Sequence, residues 1–255
     1  MKNFVFFLIV FNILYSAELS IMYSGLKFNY KEYKNSKVID SETSDINDLK
    51  GIKLSVVDSK ENLNLIYYGV FSYLKGNTYY DGSTLSGVKI KGKESDVYIY
   101  NIKTGAGYKI YEDETDIGRG EIFIKAGLGY RYWNRGTINS NDYKEKYKWF
   151  YGEVGIGVDI DFSVIEIGTS VYYHRAIDPK LNVDLNGGTE LDLGTTDGYD
   201  LVIPVKYKLS QYYGIMAEYE YEYWKIRKSN VVNVIYEPES KTKNQLVSMG
   251  FYIKY

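Results

Sequence analysis

The chain of 255 residues has no Cys, 3 Pro, 24 Gly and 30 Tyr, and its 31 basic against 33 acidic residues leave a formal net charge of −2. The missing Cys excludes disulfides, thiol nucleophiles, zinc–thiolate sites and a lipobox-type lipid anchor. Balanced charge gives no bulk attraction to nucleic acid, and the apolar and aromatic content is too high for a disordered chain.

Residues 1–17 read as a secretory signal peptide: Lys2, an apolar run from Phe4 to Leu14 broken only by Asn12, then Tyr15-Ser16-Ala17. The run is shorter than the roughly 20 apolar residues of a bilayer-spanning helix. Tyr15 stands where a small residue is usual before a cleavage site, so an uncleaved anchor is the competing reading. The domain that follows is 18–255.

From there the chain runs with period two. Tyr213, Ile215, Ala217, Tyr219, Tyr221 and Tyr223 oppose Gly214, Met216, Glu218, Glu220 and Glu222, the alternation of a strand whose two faces meet different solvents. The same parity separates Phe150, Gly152, Val154, Ile156, Val158 and Ile160 from Tyr151, Glu153, Gly155, Gly157 and Asp159. Ten strands are expected near 19–33, 51–58, 62–74, 96–111, 121–133, 147–160, 164–174, 199–209, 212–226 and 245–255, the second being the shortest run. Short turns fall near Lys60, Asp161 and Ser210, with a longer one over 112–120. Long polar links occupy 34–50, 75–95, 134–146, 176–198 and 227–244. Short turns at one end and long loops at the other describe an all-β, antiparallel transmembrane β-barrel of about ten strands, with both termini on the periplasmic, short-turn side. A soluble β sandwich also alternates. However, the apolar faces carry Tyr at their ends, as aromatic girdles do, and the opposite faces carry charges in mid-strand that a sandwich core would not tolerate unpaired.

The chain closes Met249-Gly250-Phe251-Tyr252-Ile253-Lys254-Tyr255, with Phe251, Ile253 and the final aromatic on one face. This resembles the C-terminal signal of bacterial outer-membrane β-barrel proteins. The resemblance implies insertion by the barrel-assembly machinery and residence in the outer membrane of a Gram-negative bacterium, against outer-membrane lipid and lipopolysaccharide.

Inward positions are expected to include Lys27, Lys31, Lys103, Lys125, Arg131, Lys206, Glu153, Asp159, Glu166, Glu218, Glu220 and Glu222. A barrel near eight strands is just wide enough for side chains to fill. These charges should therefore pair across a plugged lumen. Pro204 is the misfit, since it removes a ladder donor in mid-strand. Trp133 and Trp224, each followed by cations, suggest an outer lipid interface.

Candidate chemistry is sparse. His174, the sole histidine, is expected at the outer rim with Asp178 four residues on, and Asp81 lies in the second loop. Size and rim layout resemble the ten-stranded omptin proteases, which activate water between an Asp–His pair and a facing Asp pair. The chain departs from that pattern: Tyr172 stands two residues before His174, and Tyr79 and Ser83 flank Asp81. The His-x-Ser of lipid A deacylases is missing too, since Arg175-Ala176 follows. Asp159 and Asp161 could be read as a metal pair, but Asp is favoured at turns for its backbone geometry. No G-x-G-x-x-G occurs. The expectation is a non-enzymatic barrel of structural, surface-interaction or narrow-channel type, with no assigned catalytic, cofactor or metal residue. An omptin-like hydrolase using His174 with Asp81 or Asp178 is the alternative.

Overall fold

The structure, a computed structural model, describes residues 17–83, 88–116, 118–139, 143–185 and 188–255. The signal-peptide reading falls, Ala17 apart, outside them. Thirteen strands follow one another: β1 (Ala17–Lys27), β2 (Asn29–Lys34), β3 (Lys37–Thr43), β4 (Leu49–Lys60), β5 (Leu65–Ser83), β6 (Lys89–Thr115), β7 (Gly118–Arg135), β8 (Glu145–Asp161), β9 (Ile165–Val183), β10 (Thr189–Asp192), β11 (Thr196–Lys208), β12 (Tyr213–Ile226) and β13 (Glu239–Lys254). Among the described residues no helix is long and apolar enough to cross a membrane.

Ten of these strands make a closed antiparallel ring. Each pairs with its sequence neighbour, and β1 pairs with β13 from Glu18↔Lys254 to Lys27↔Gln245, so no edge is left. The start of β1 meets the last residue of the chain where the amide of Tyr255 donates to the carbonyl of Ala17 at 3.0 Å. All ten expected strands are present, including the shortest, which extends to 12 residues as β4.

The long links are largely strand rather than loop. A bilayer crossing takes about 9–11 residues of tilted strand, whereas β6 has 27 and β5 and β9 have 19 each. The surplus lies at the long-loop end, where β5 and β6 stay paired as far as Ser83↔Lys89. There β2 and β3 continue the walls above β1 and β4, joined by a two-residue turn. Asn35 and Ser36 have φ of 51° and 64°, the double positive φ of a type I′ hairpin. Alternation fades in these stretches because the outer face meets water instead of lipid, which is why composition alone reads them as loops. At the other end, the longer turn expected over 112–120 is a tight hairpin closing at Thr115↔Gly118.

Pro204 sits where the β9–β11 ladder lapses between Val202↔Ser170 and Val205↔Ile167. Its other side stays in register with Glu218. A Cβ on Gly168 would come 2.9 Å from the Pro204 ring, so the glycine makes room for the proline.

The outer surface carries Ile21, Leu54, Ile102, Ile124, Leu128, Val154, Ile156, Val171, Val247 and Phe251, all exposed to the surroundings. Tyrosines bound this belt, stacked as Tyr98–Tyr132 and Tyr100–Tyr132 on one side and Tyr199–Tyr223 on another. So large an apolar band on a monomer calls for a bilayer. The protein is therefore expected to leave membranes only with detergent, and to shift in mobility on a denaturing gel only after boiling. Extraction by salt or alkali alone would contradict the lipid-facing belt.

Candidate functional site

The interior is the candidate site, and it is filled in layers. Near the short-turn end Lys206 bridges Glu18 at 2.7 Å and Glu166 at 2.8 Å. Above a small apolar cluster of Met22, Met216 and Tyr252, Lys53 contacts Glu218 and Glu220, Lys103 reaches Asp200 at 3.6 Å, and Arg131 binds Glu222 at 2.6 Å. The expected cross-lumen pairing is thus present. Lys53, on the shortest predicted strand, and Asp200, which shares the polar parity of Lys206, join the expected inward charges.

Two corrections follow from register. Lys27 and Lys31 face outward, because in β1 and β2 the even positions Ser20, Met22, Ser24, Leu26, Phe28, Tyr30 and Glu32 are the buried ones. Trp133 and Trp224 face inward and are 1% and 2% exposed. They share parity with Arg131 and Glu222, and their flanking cations obscured that.

These tryptophans build the plug. Trp133 stacks on Tyr147 with centroids 4.5 Å apart and meets Tyr30 edge-on at 5.0 Å. Trp224 meets Trp149 at 5.3 Å and Tyr151 at 5.4 Å. Phe28, Leu26, Leu49, Leu74, Ile99 and Leu181 complete one apolar cluster across the lumen. A barrel this narrow can be packed like a domain core.

His174 lies beneath this plug, in mid-strand and 1% exposed, not at the rim. Its ring stacks on Trp224 at 5.3 Å, with Nε2 2.9 Å from Asp200 and Nδ1 3.5 Å from Glu153. Asp178 is exposed and pairs with Lys180, and Asp81 pairs with Lys91 on the outer wall. The structure does not bring His174, Asp81 and Asp178 together. Asp161 accepts from the Ser163 amide and pairs with Lys208, a turn role. Asp159 is half-buried, with its carboxylate beside Gly168 of β9.

Above the plug, outside the lipid belt, Arg135 is buried among carboxylates: Glu145 at 2.6 Å, Glu42 at 2.9 Å and Glu32 at 3.2 Å. Glu237 accepts from Tyr30 at 2.6 Å and Tyr147 at 3.0 Å. Thr78 Oγ1 lies 2.7 Å from Glu42 and 3.1 Å from Glu94, and one hydroxyl proton cannot serve two carboxylates fully. Burial pushes the Glu32 carboxyl up to about 7 against the pull of Arg135. It also raises Glu42, which faces Glu94, and Glu237, which faces Glu32.

On the outside at this level a transverse row joins β2, β13 and β12: Lys31 pairs across the ladder with Lys241, and Lys241 with Lys225. Like charges directly opposite are unfavourable in a sheet. Among the described residues, Glu239, 3.6 Å from Lys225, and the ring of Tyr33, 4.6 Å under Lys241, offset them.

A sheet closed without an edge, apolar outside and polar within, has one solution in lipid. The fold is that of a bacterial outer-membrane β-barrel. Among solved structures the Escherichia coli outer membrane protease OmpT superposes with a TM-score of 0.62 at 10% identity, covering 94% of this chain and 97% of that one. Pseudomonas aeruginosa OprG matches more loosely, at a TM-score of 0.45, 9% identity and coverage of 94% and 95%. No protein-family model matches the sequence, and no curated protein matches it. Identity this low speaks for the fold alone.

The upper carboxyls bind protons more tightly folded than unfolded. For Glu32 this contribution is complete below about pH 4.5 and is lost as pH rises through about 7, and Glu42 and Glu237 act in the same direction. Amides of β2 and β3 should open more easily at pH 8 than at pH 5.5, by about 1–3 kcal/mol, when hydrogen exchange is corrected for its intrinsic rate. Glu42→Gln, a permanently neutral isostere, should remove much of that difference; an unchanged pH dependence would place the titration elsewhere.

Proposed function

We propose that this outer-membrane barrel is a non-enzymatic, non-conducting protein that acts through its extended extracellular walls and its contact with lipid. The observation that carries this is the continuous aromatic plug of Trp133, Trp149, Trp224, Tyr30, Tyr147 and Tyr151, which fills the lumen between two buried ion-pair layers. A solute path would have to pass it. The omptin-like alternative is disfavoured by access: a hydrolytic His must meet water and a substrate, and His174 is sealed beneath the plug.

In planar bilayers the purified protein should give no conductance comparable to a general porin. Trp133→Ala with Trp224→Ala should raise it measurably, while costing about 3–5 kcal/mol of stability per site. A wide wild-type pore would overturn the reading. Incubated with unfolded peptide substrates, wild type and His174→Ala should be equally inactive; activity lost in the variant would restore the hydrolase.

Two partners accompany the proposal. Residues 1–17 would direct export and be removed, and the outward Phe251, Ile253 and Tyr255 would present the assembly signal. The Lys31–Lys241–Lys225 row lies at the upper edge of the belt, where lipopolysaccharide phosphates would offset its repulsion. Reversing all three to Glu should reduce lipopolysaccharide co-purification several-fold without altering heat-modifiability.

A further inference from the structure

The ring of strands is closed at the level of the lipid belt, but among the described residues the wall above it has a gap. From Lys89 to Glu94, β6 pairs on one side, with β5 from Ser83 to Thr78. Its ladder with β7 ends at Tyr98↔Asn134, and a lone bridge, Ser95↔Thr137, follows. The chain after Thr137 leaves the plane of the sheet: Ile138 lies against Gly92, where an added Cβ would meet its Cγ2 at 2.8 Å. The other edge of β6 is therefore open on the extracellular side.

Backbone alternation fixes which groups this edge offers. Ser95 donates its amide to Thr137 at 3.0 Å, and its carbonyl accepts from Thr137 at 3.3 Å. Peptide groups turn to opposite sides at successive residues of a strand. Lys93, Lys91 and Lys89 thus turn theirs the same way as Ser95, while Glu94, Gly92 and Ile90 turn theirs to β5. The same three lysines are exposed, and their side chains stand on the outer face. Lys91 pairs with Asp81 at 2.5 Å, and among the described residues no carboxylate pairs with Lys89 or Lys93. On the inner face Ile90 is half-buried and Ile138 covers Gly92. The edge is cationic outside and apolar inside.

Lysines on an open edge are also a device against unwanted strand pairing. Their effect here is selective. They repel a second copy of the same edge, whose lysines would fall opposite, and they favour a strand of the other sign. Resting on the reading that the extracellular walls are where the protein acts, we propose that the β6 edge from Lys89 to Lys93 binds an extended acidic segment of a partner protein by strand addition. The backbone of that segment bonds to Lys89, Lys91 and Lys93. Its carboxylates lie beside the three ammonium groups, and its alternate apolar side chains face Ile90 and Ile138.

The test titrates the full barrel in detergent micelles with an end-capped peptide of alternating Glu and Val, and with its Lys-for-Glu counterpart, while NMR follows amide exchange residue by residue. The acidic peptide should slow the amides of Lys89, Lys91 and Lys93 several-fold and leave those of Ile90, Gly92 and Glu94, already bonded to β5, unchanged. The Lys peptide should slow none. Lipopolysaccharide, which has phosphates but no strand backbone, should not reproduce the alternation. Lys91→Ala removes one charge; Lys91→Pro also removes an edge N–H, where a strand tolerates proline, and should weaken binding a further tenfold. Heat-modifiability confirms that each variant is folded. Should Lys91→Pro not fold, Lys89→Glu with Lys93→Glu decides, since it should transfer binding from the Glu peptide to the Lys peptide. No slowing at millimolar acidic peptide would overturn the proposal. So would slowing without alternation, alternation produced by lipopolysaccharide, or charge reversal that leaves the choice of peptide unchanged. Conductance keeps the two readings apart: a silent barrel that binds no acidic strand overturns the edge alone, whereas a wide pore overturns the non-conducting reading whatever the peptide does.

Discussion

Closure of the β1–β13 ladder is the constraint from which the rest of the molecule follows. In a bilayer no water reaches an unpaired backbone group, so an open sheet edge is excluded. The ladder from Glu18↔Lys254 to Lys27↔Gln245 removes it. Once ten strands are closed, one face of every strand must meet lipid and the other a narrow interior. The apolar belt with its stacked tyrosines answers the first demand, and the filled lumen answers the second.

That interior is not uniform. Ion pairs dominate in the lower part, where Gly127, Gly155 and Gly157 leave room for Tyr68, Glu153, Tyr172 and Ser170 to reach across. Aromatic packing takes over above His174, and a second charged layer around Arg135 caps it. An aromatic layer between two polar ones excludes water from both. This lowers the local dielectric and makes the cost of any uncompensated carboxylate larger. The plug, the proton-holding upper carboxyls and the buried ion pairs around Asp200 are consequences of the same sealed geometry.

The superposition on OmpT speaks for the fold alone, and the chemistry is left to the side chains. A shared ring size fixes the number of positions that look inward. It does not decide whether those positions face solvent, and in this chain the histidine is roofed by Trp224. The walls above the lipid belt carry the exposed variety of the molecule, including the hairpin at Asn35–Ser36 and the outward lysines of β6 and β13.

Period-two alternation by itself determined the strand number, the lipid-facing side of most strands and the existence of cross-lumen ion pairs. Two solvents impose that pattern locally, residue by residue. It misread β1, where Ser20 and Ser24 face inward beside Met22 and small polar and apolar side chains blur the parity. It took the extracellular extensions for loops, because strands wetted outside lose the lipid signal. Only the tertiary structure decided that Trp133 and Trp224 pack inward, that His174 is buried beneath Trp224, and that Arg135 gathers Glu32 and Glu42 from distant strands beside Glu145 of the adjoining one. Those arrangements depend on ring closure and stagger, which set what stands across the lumen from each residue. Such partners can lie far apart in the chain, as Lys53 and Glu220 do at a separation of 167 residues, and no local pattern encodes the distance between them.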